Sequence, residues 1–260
     1  MRSEPAIAFV FAHPGHELRV HHWLEASRPV VHVLTDGSGS LGQSRLAATA
    51  RVLGSTGARS GRCFGRFTDR ALYALLLNRS FEVFRAEARA LADDLDDDGI
   101  DTVAGDAIEG FNPGHDVARL LLNAAVGLLR ARGRRVRNLE FDVEAPPGRC
   151  DEEERDVDCR LHLGDEAFSR KIAAARAYEE LGEEVARALG RHGEYPFRCE
   201  CLRSAPPSLT ALARLPRPLP YEVHGASRVA AGTYAQVVRL DDHLLPLAHD
   251  LEAFAGEPSP

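Results

Sequence analysis

The sequence predicts an α/β fold: a mainly parallel sheet with helices on both faces, followed by a helical and short-strand C-terminal extension. Two observations lead there. Continuous apolar runs, "PAIAFVFA" (5–12) and "PVVHVLT" (29–35), are short and rich in β-branched and aromatic residues, as strands buried on both faces are. Helical patterns stand between and after them, and strands that alternate with helices form parallel sheets with ligand sites at the strands' carboxyl ends. With 260 residues, 44% hydrophobic and 27% charged, the chain has globular composition. One domain over 1–260 is expected, with a core of about 5–144 and an elaboration of about 160–255.

Taken in order, "ELRVHHWLEAS" (17–27) suits a helical crossover between the first two strands. A glycine turn, "TDGSGSLG" (35–42), leads to a helix over 43–55, and 61–77 reads as a loop running into another helix. Residues 80–95 continue helical until "LDDDG" stops them. A third strand over 100–106 opens onto the loop "AIEGFNPGH", a helix over 116–133 and a fourth strand over 136–143. Beyond an acidic, turn-rich boundary (145–158) come one long amphipathic helix (165–193) and a Pro-rich segment (205–220). Residues 221–254 read as a short strand, a turn and a helix.

The net charge of −7 argues against nucleic acid as a partner, since affinity for phosphates comes from clustered cations. The basic run "RARGRRVR" (130–137) reads as a solvated helix end and the start of a strand. With no leader pattern and no apolar run of spanning length, no membrane association is expected and the location is expected to be cytoplasmic. Five cysteines (63, 150, 159, 199, 201) are too few for a disulfide scaffold, and thiols are expected. A four-cysteine zinc site at 150, 159, 199 and 201 would have spacings unlike the usual knuckles. "GSGSLG" lacks the ending of a phosphate loop, and no acidic residue completes a dinucleotide site.

Chemistry concentrates where strands end. His13 and His16 follow the first strand, and His115 lies on the loop after the third. Three imidazoles with an open fourth position are what catalytic zinc needs. Spacing alone also admits His13 and His16 as loop or capping residues.

"AHPGHE" (12–17) and "NPGH" (112–115) resemble the A-H-P-D-D-E and H-P-D-H motifs of the LmbE/PIG-L family of zinc-dependent N-acetylglucosamine deacetylases. "VVHVLTDGSGSLG", "LAATARVLG", "CFGRFTDRAL" and "DTVAGDAIEGFNPGHDVARLL" extend the likeness in order over roughly residues 5–130. The resemblance implies a Rossmann-like fold, Zn2+ as cofactor, and a small-molecule substrate bearing an N-acyl group on an amino sugar or glycosylated metabolite. Carried over by position, His13 and His115 match metal ligands and His16 replaces an aspartate ligand. Gly15 stands where the family has its catalytic aspartate, Asn112 where it has a histidine, and Arg45 where a glutamate is usual.

Three neutral ligands leave zinc its full charge, which brings the pKa of bound water to about 7 and lessens the need for a base. Candidate bases are Glu109, Glu17 and Asp36. Glu109 ranks first, Glu17 suits orientation of a histidine, and Asp36 suits an Asx turn. Asn112 is expected to donate to an oxyanion, and His224 to act as acid or oxyanion stabiliser or stand as an ordinary turn histidine. His32 is expected to be a satisfied core histidine. The alternatives to a hydrolase are a binding protein that has lost acid–base function, and a repurposed zinc enzyme such as a lyase. Oligomeric state is not legible.

Overall fold

The computed structural model describes residues 6–39, 42–147 and 157–256, without the side chains of residues 157 and 158. Seven strands form one sheet in the order β3-β2-β1-β4-β5-β7-β6. These are β1 (Ile7–Phe11), β2 (Val30–Thr35), β3 (Arg59–Phe67), β4 (Thr102–Asp106), β5 (Arg137–Phe141), β6 (Val157–His162) and β7 (Cys199–Ser204). The first five run parallel, and β7 and β6 extend the sheet antiparallel beyond β5. The α/β class expected from the alternation is therefore the observed one.

Side chains of β1 alternate between two layers, as a doubly covered strand requires. Phe9 and Phe11 pack with Leu24 of α1 (His21–Ser27) and Leu53 of α2 (Leu46–Thr56) on one face. Ala8 and Val10 pack on the other with Leu91 and Leu95 of α4 (Phe81–Asp97) and Leu122 of α5 (Pro113–Ala131). The shorter α3 (Asp69–Leu77) joins this second layer through Leu72 and Leu76. Fully burying each such side chain contributes roughly 1.5–3 kcal/mol, so β1 is firmly placed before any polar contact is made.

Strand order reverses at β1: β2 and β3 lie to one side, β4 to the other. The chain from β1 and the chain from β4 leave the sheet in opposite directions, and the crevice they open is the usual ligand position of such sheets. His13 follows β1 by two residues, and β4 ends in Asp106.

Four local expectations are corrected. Residues 61–67 belong to β3 and not to a loop; its glycines and arginines disguise an edge strand whose residues are mostly exposed. The helix expected over 165–193 divides into α6 (Asp165–Arg176), a 3-10 turn (Glu179–Leu181) and α7 (Gly182–His192). The break lets Tyr178 turn inward, where its hydroxyl meets Thr49 Oγ1 (3.0 Å) and donates to the Arg45 carbonyl (3.3 Å). The Pro-rich stretch holds α8 (Ser208–Ala213), and 221–230 lie in α9 (Pro220–Ala230), started by proline at its first position. A π-helical turn (Leu240–Leu244) then leads into α10 (Leu245–Gly256). Finally, Cys201 is disulfide-bonded, against the expectation of thiols. Most of the acidic boundary (145–158), with Cys150, lies outside the described residues. Among the described residues no helix is long and apolar enough to cross a membrane.

Candidate metal centre

His13 and His16 meet His115, distant in sequence, at the reversal of strand order. Ring centroids are 5.4 Å apart for His13 and His16, 5.1 Å for His13 and His115, and 4.5 Å for His16 and His115. Imidazoles held at zinc–nitrogen distances of about 2.0–2.1 Å in a tetrahedral arrangement have centroids about 5 Å apart. Among the described residues, as they stand, no group of three or more His, Cys, Asp or Glu side chains could hold a metal ion. The centroid spacing alone matches the tetrahedral arrangement.

Each histidine is placed by a different device. His13 leaves β1, and its Nδ1 lies 2.7 Å from Thr35 Oγ1 at the end of β2 and 3.1 Å from Asp69 Oδ1 at the start of α3. The Thr35 hydroxyl donates its one proton to the Ala12 carbonyl (3.1 Å), so it accepts from His13 Nδ1–H. The lone pair of His13 is thereby left on Nε2, which is buried and has no partner. Gly114 faces this atom: a Cβ there would stand 2.9 Å from it.

His16 opens a 3-10 turn (His16–Val20), and its Nδ1 lies 2.8 Å from Asp106 Oδ2. The same oxygen accepts from Ala12 N (2.7 Å), so one carboxylate ties the end of β1 to the second imidazole. Burial lowers the pKa of His16, but the Asp106 charge and hydrogen bond outweigh it and the net shift is upward. A carboxylate behind a ligating imidazole fixes the tautomer and raises its basicity.

His115 lies in the first turn of α5, where Asn112 caps the helix and Pro113 occupies its first position. Its Nδ1 is buried without a partner, and burial, then His16 and His13, hold the ring well below its ordinary pKa. The Asn112 carbonyl oxygen accepts from Gly114 N (2.7 Å) and the Tyr73 hydroxyl (3.1 Å), which leaves the amide NH2 free to donate.

The remaining candidates separate. Glu109 is occupied: its carboxylate accepts from the amides of Val143 (2.7 Å), Glu144 (3.0 Å) and Ala145 (2.8 Å), so it clamps the loop after β5 and is not placed to take a proton from substrate. Glu17 is fully buried and accepts from Gly15 N (2.7 Å), holding the ligand loop's backbone and not a histidine ring. Burial raises its pKa, opposed first by Thr49. Asp36 makes the Asx turn, accepting from Ser38 N (3.0 Å). His224 is exposed on α9 with its ring facing Tyr234 (6.4 Å). His32 is buried but neither ring nitrogen has a partner, so it is not satisfied.

Sequence reasoning missed Asp106, which orients His16, and Asp69 and Thr35, which orient His13. Asp106 and Thr35 end strands at the ligand-binding edge, a signal present in "TVAGD" and "VVHVLT". Glu144 lies on the loop after β5, and its charge acts on His16. Its loop is gripped on one side by Glu109 and on the other by Arg19, which donates to the carbonyls of Val143 and Ala145. Arg19 belongs to the His16 turn and Glu109 to the loop before His115, so Glu144 stands between the segments that carry two of the imidazoles. Its side chain is exposed yet crowded: burial raises its pKa, while His16, Arg19 and Arg191 pull the other way.

No protein-family model matches the chain, and no curated protein does. Solved structures do. A deacetylase from the teicoplanin biosynthesis pathway, solved as a complex, is 15% identical, with TM-score 0.50 over 72% of this chain and 91% of that one. A conserved protein from Thermus thermophilus is 20% identical, with TM-score 0.52 over 78% of this chain and 96% of that one. The likeness is one of fold.

Proposed function

We propose that the chain is a zinc-dependent amide hydrolase of LmbE/PIG-L type, removing an N-acyl group, foremost N-acetyl, from an amino sugar or glycosylated small metabolite. The observation that carries this reading is the convergence of three imidazoles, two with tautomers set by Thr35 and Asp106, at the reversal of strand order. A fold shared with a deacetylase supports it. His13 Nε2, His16 and His115 would hold the cation, which when bound supplies Lewis acidity to the acyl carbonyl and to a water molecule.

The protein's own groups do the rest. With its carbonyl oxygen held by Gly114 N and Tyr73, Asn112 presents its amide NH2 to the oxygen that becomes negative as the carbonyl is attacked. No carboxylate is available at Gly15, and Glu109 is committed to backbone amides. With Asp69 and Asp106 held against His13 and His16, Glu144, whose charge acts on His16, is the carboxylate assigned to take the proton of the attacking water and pass it to the departing nitrogen.

Acetate release from a panel of N-acetylated amino sugars, with and without chelator, tests the reading. Zinc-dependent release is expected, with kcat lowered about 100-fold or more in Glu144→Gln at unchanged metal content. Bound zinc with no release from any amide would refute the hydrolase, and an unimpaired Glu144→Gln would refute the base.

A further inference from the structure

Against the loop that carries Pro14 stands a cation that joins no ion pair among the described residues. Arg45 precedes α2, and its backbone is fixed: its amide donates to the Asp36 carbonyl (2.9 Å), and its carbonyl accepts from Ala48 N (3.1 Å) and the Tyr178 hydroxyl (3.3 Å). Its guanidinium lies over the turn after β2, against the ligand loop. A Cβ at Gly37 would stand 2.7 Å from Arg45 Nε, 3.0 Å from Nη2 and 2.8 Å from Pro14 Cδ, so the side chain packs where the backbone passes between His13 and Gly15. Nε is shielded from solvent and has no hydrogen-bond partner, and among the described residues the guanidinium joins no ion pair.

The surroundings say what kind of ligand. Three amides of the turn are spent within the protein: Gly37 N on Thr35 Oγ1 (3.3 Å), Ser38 N on Asp36 Oδ1 (3.0 Å) and Gly39 N on Asp69 Oδ2 (2.6 Å). Among the described residues these amides leave no backbone cradle for a phosphate, and Asp36, the nearest acid in sequence, accepts from Ser38 N. What is left beside Gly37 and Pro14 is the guanidinium itself, a planar fork of donors of the geometry that matches a carboxylate.

We propose that Arg45 is a specificity-determining residue that selects N-acylated substrates carrying a carboxylate near the scissile amide. The proposal rests on the hydrolase reading for the amide, but the anion preference is a property of binding and is measured separately. Dissociation constants are determined by calorimetry for the full chain, with and without zinc. The probes are N-acetylglucosamine and two counterparts bearing a carboxylate, N-acetylmuramic acid (on O3) and N-acetylglucosaminuronic acid (at C6). At least one acidic probe is expected to bind about 10-fold or more tightly than the neutral sugar. Arg45→Gln is expected to abolish that preference and leave affinity for the neutral sugar within about twofold. Arg45→Lys, which keeps the charge and loses the fork, is expected to retain only part of it. Equal affinities in the native chain, no measurable binding of any probe, or a preference that survives Arg45→Gln in a protein of native melting temperature overturns the proposal. Preference for an acidic probe without acetate release would leave Arg45 standing and remove only the hydrolase.

Discussion

His32 shows what a single buried group does to the whole chain. It lies inside β2 with both ring nitrogens unpartnered, beneath Gly61, where a Cβ would come within 2.7 Å of the ring. Burial pushes its pKa down to about 4. Between that value and the ordinary 6.5 the unfolded chain binds a proton that the folded chain refuses, so this contribution is intact above pH 6.5 and is lost as pH falls towards 4. From pH 7 to pH 5 it removes about 2 kcal/mol. Urea unfolding at the two pH values should show that His32→Leu flattens the loss by this amount; an unchanged slope would mean that His32 finds a partner.

Among the elements, the C-terminal segment reaches back to the ligand loop. Gly15 has φ of 106°, and a Cβ there would stand 2.2 Å from Leu181 Cδ1 on the turn after α6. Placing an aspartate at this position therefore meets both a left-handed backbone and an occupied space. Gly15→Asp is expected to lower the melting temperature, and Leu181→Ala added to it to recover part of the loss. A fully stable Gly15→Asp would show that the two segments separate easily. The same extension is anchored by Lys171 of α6, whose ammonium donates to Glu200 Oε1 and the Arg19 carbonyl, each at 2.8 Å. Glu200 in turn accepts from His22 N and Trp23 N at the start of α1 (3.0 Å each). Lys171→Met leaves a buried carboxylate without its cation and should cost about 3–5 kcal/mol in urea unfolding, with Glu200→Gln returning part of it. A loss under about 1 kcal/mol would mean that the pair does not hold the extension.

Across the molecule, legibility follows the sheet. The apolar runs of β1 and β2 are visible because strands buried on both faces carry few polar residues, and the trio of histidines is visible because strand ends mark the ligand edge. The edge strand β3 is hidden by its arginines and glycines, and β6 and β7 by pairing that only the tertiary structure supplies. Glu109 was misjudged because sequence gives its nearness to Asn112 but not the three amides that occupy it. Asp106 and Asp69 were passed over because partners 90 and 56 residues away from His16 and His13 leave no local trace. The account as a whole stands on one cation shared by three imidazoles. Its most direct test is metal analysis of the purified chain after chelation and reloading with zinc, beside His13→Ala, His16→Ala and His115→Ala. One tightly held zinc per native chain, lost or severely weakened in each variant of native fold, is the expected result; no bound metal in the native chain, or full retention in all three variants, would contradict it.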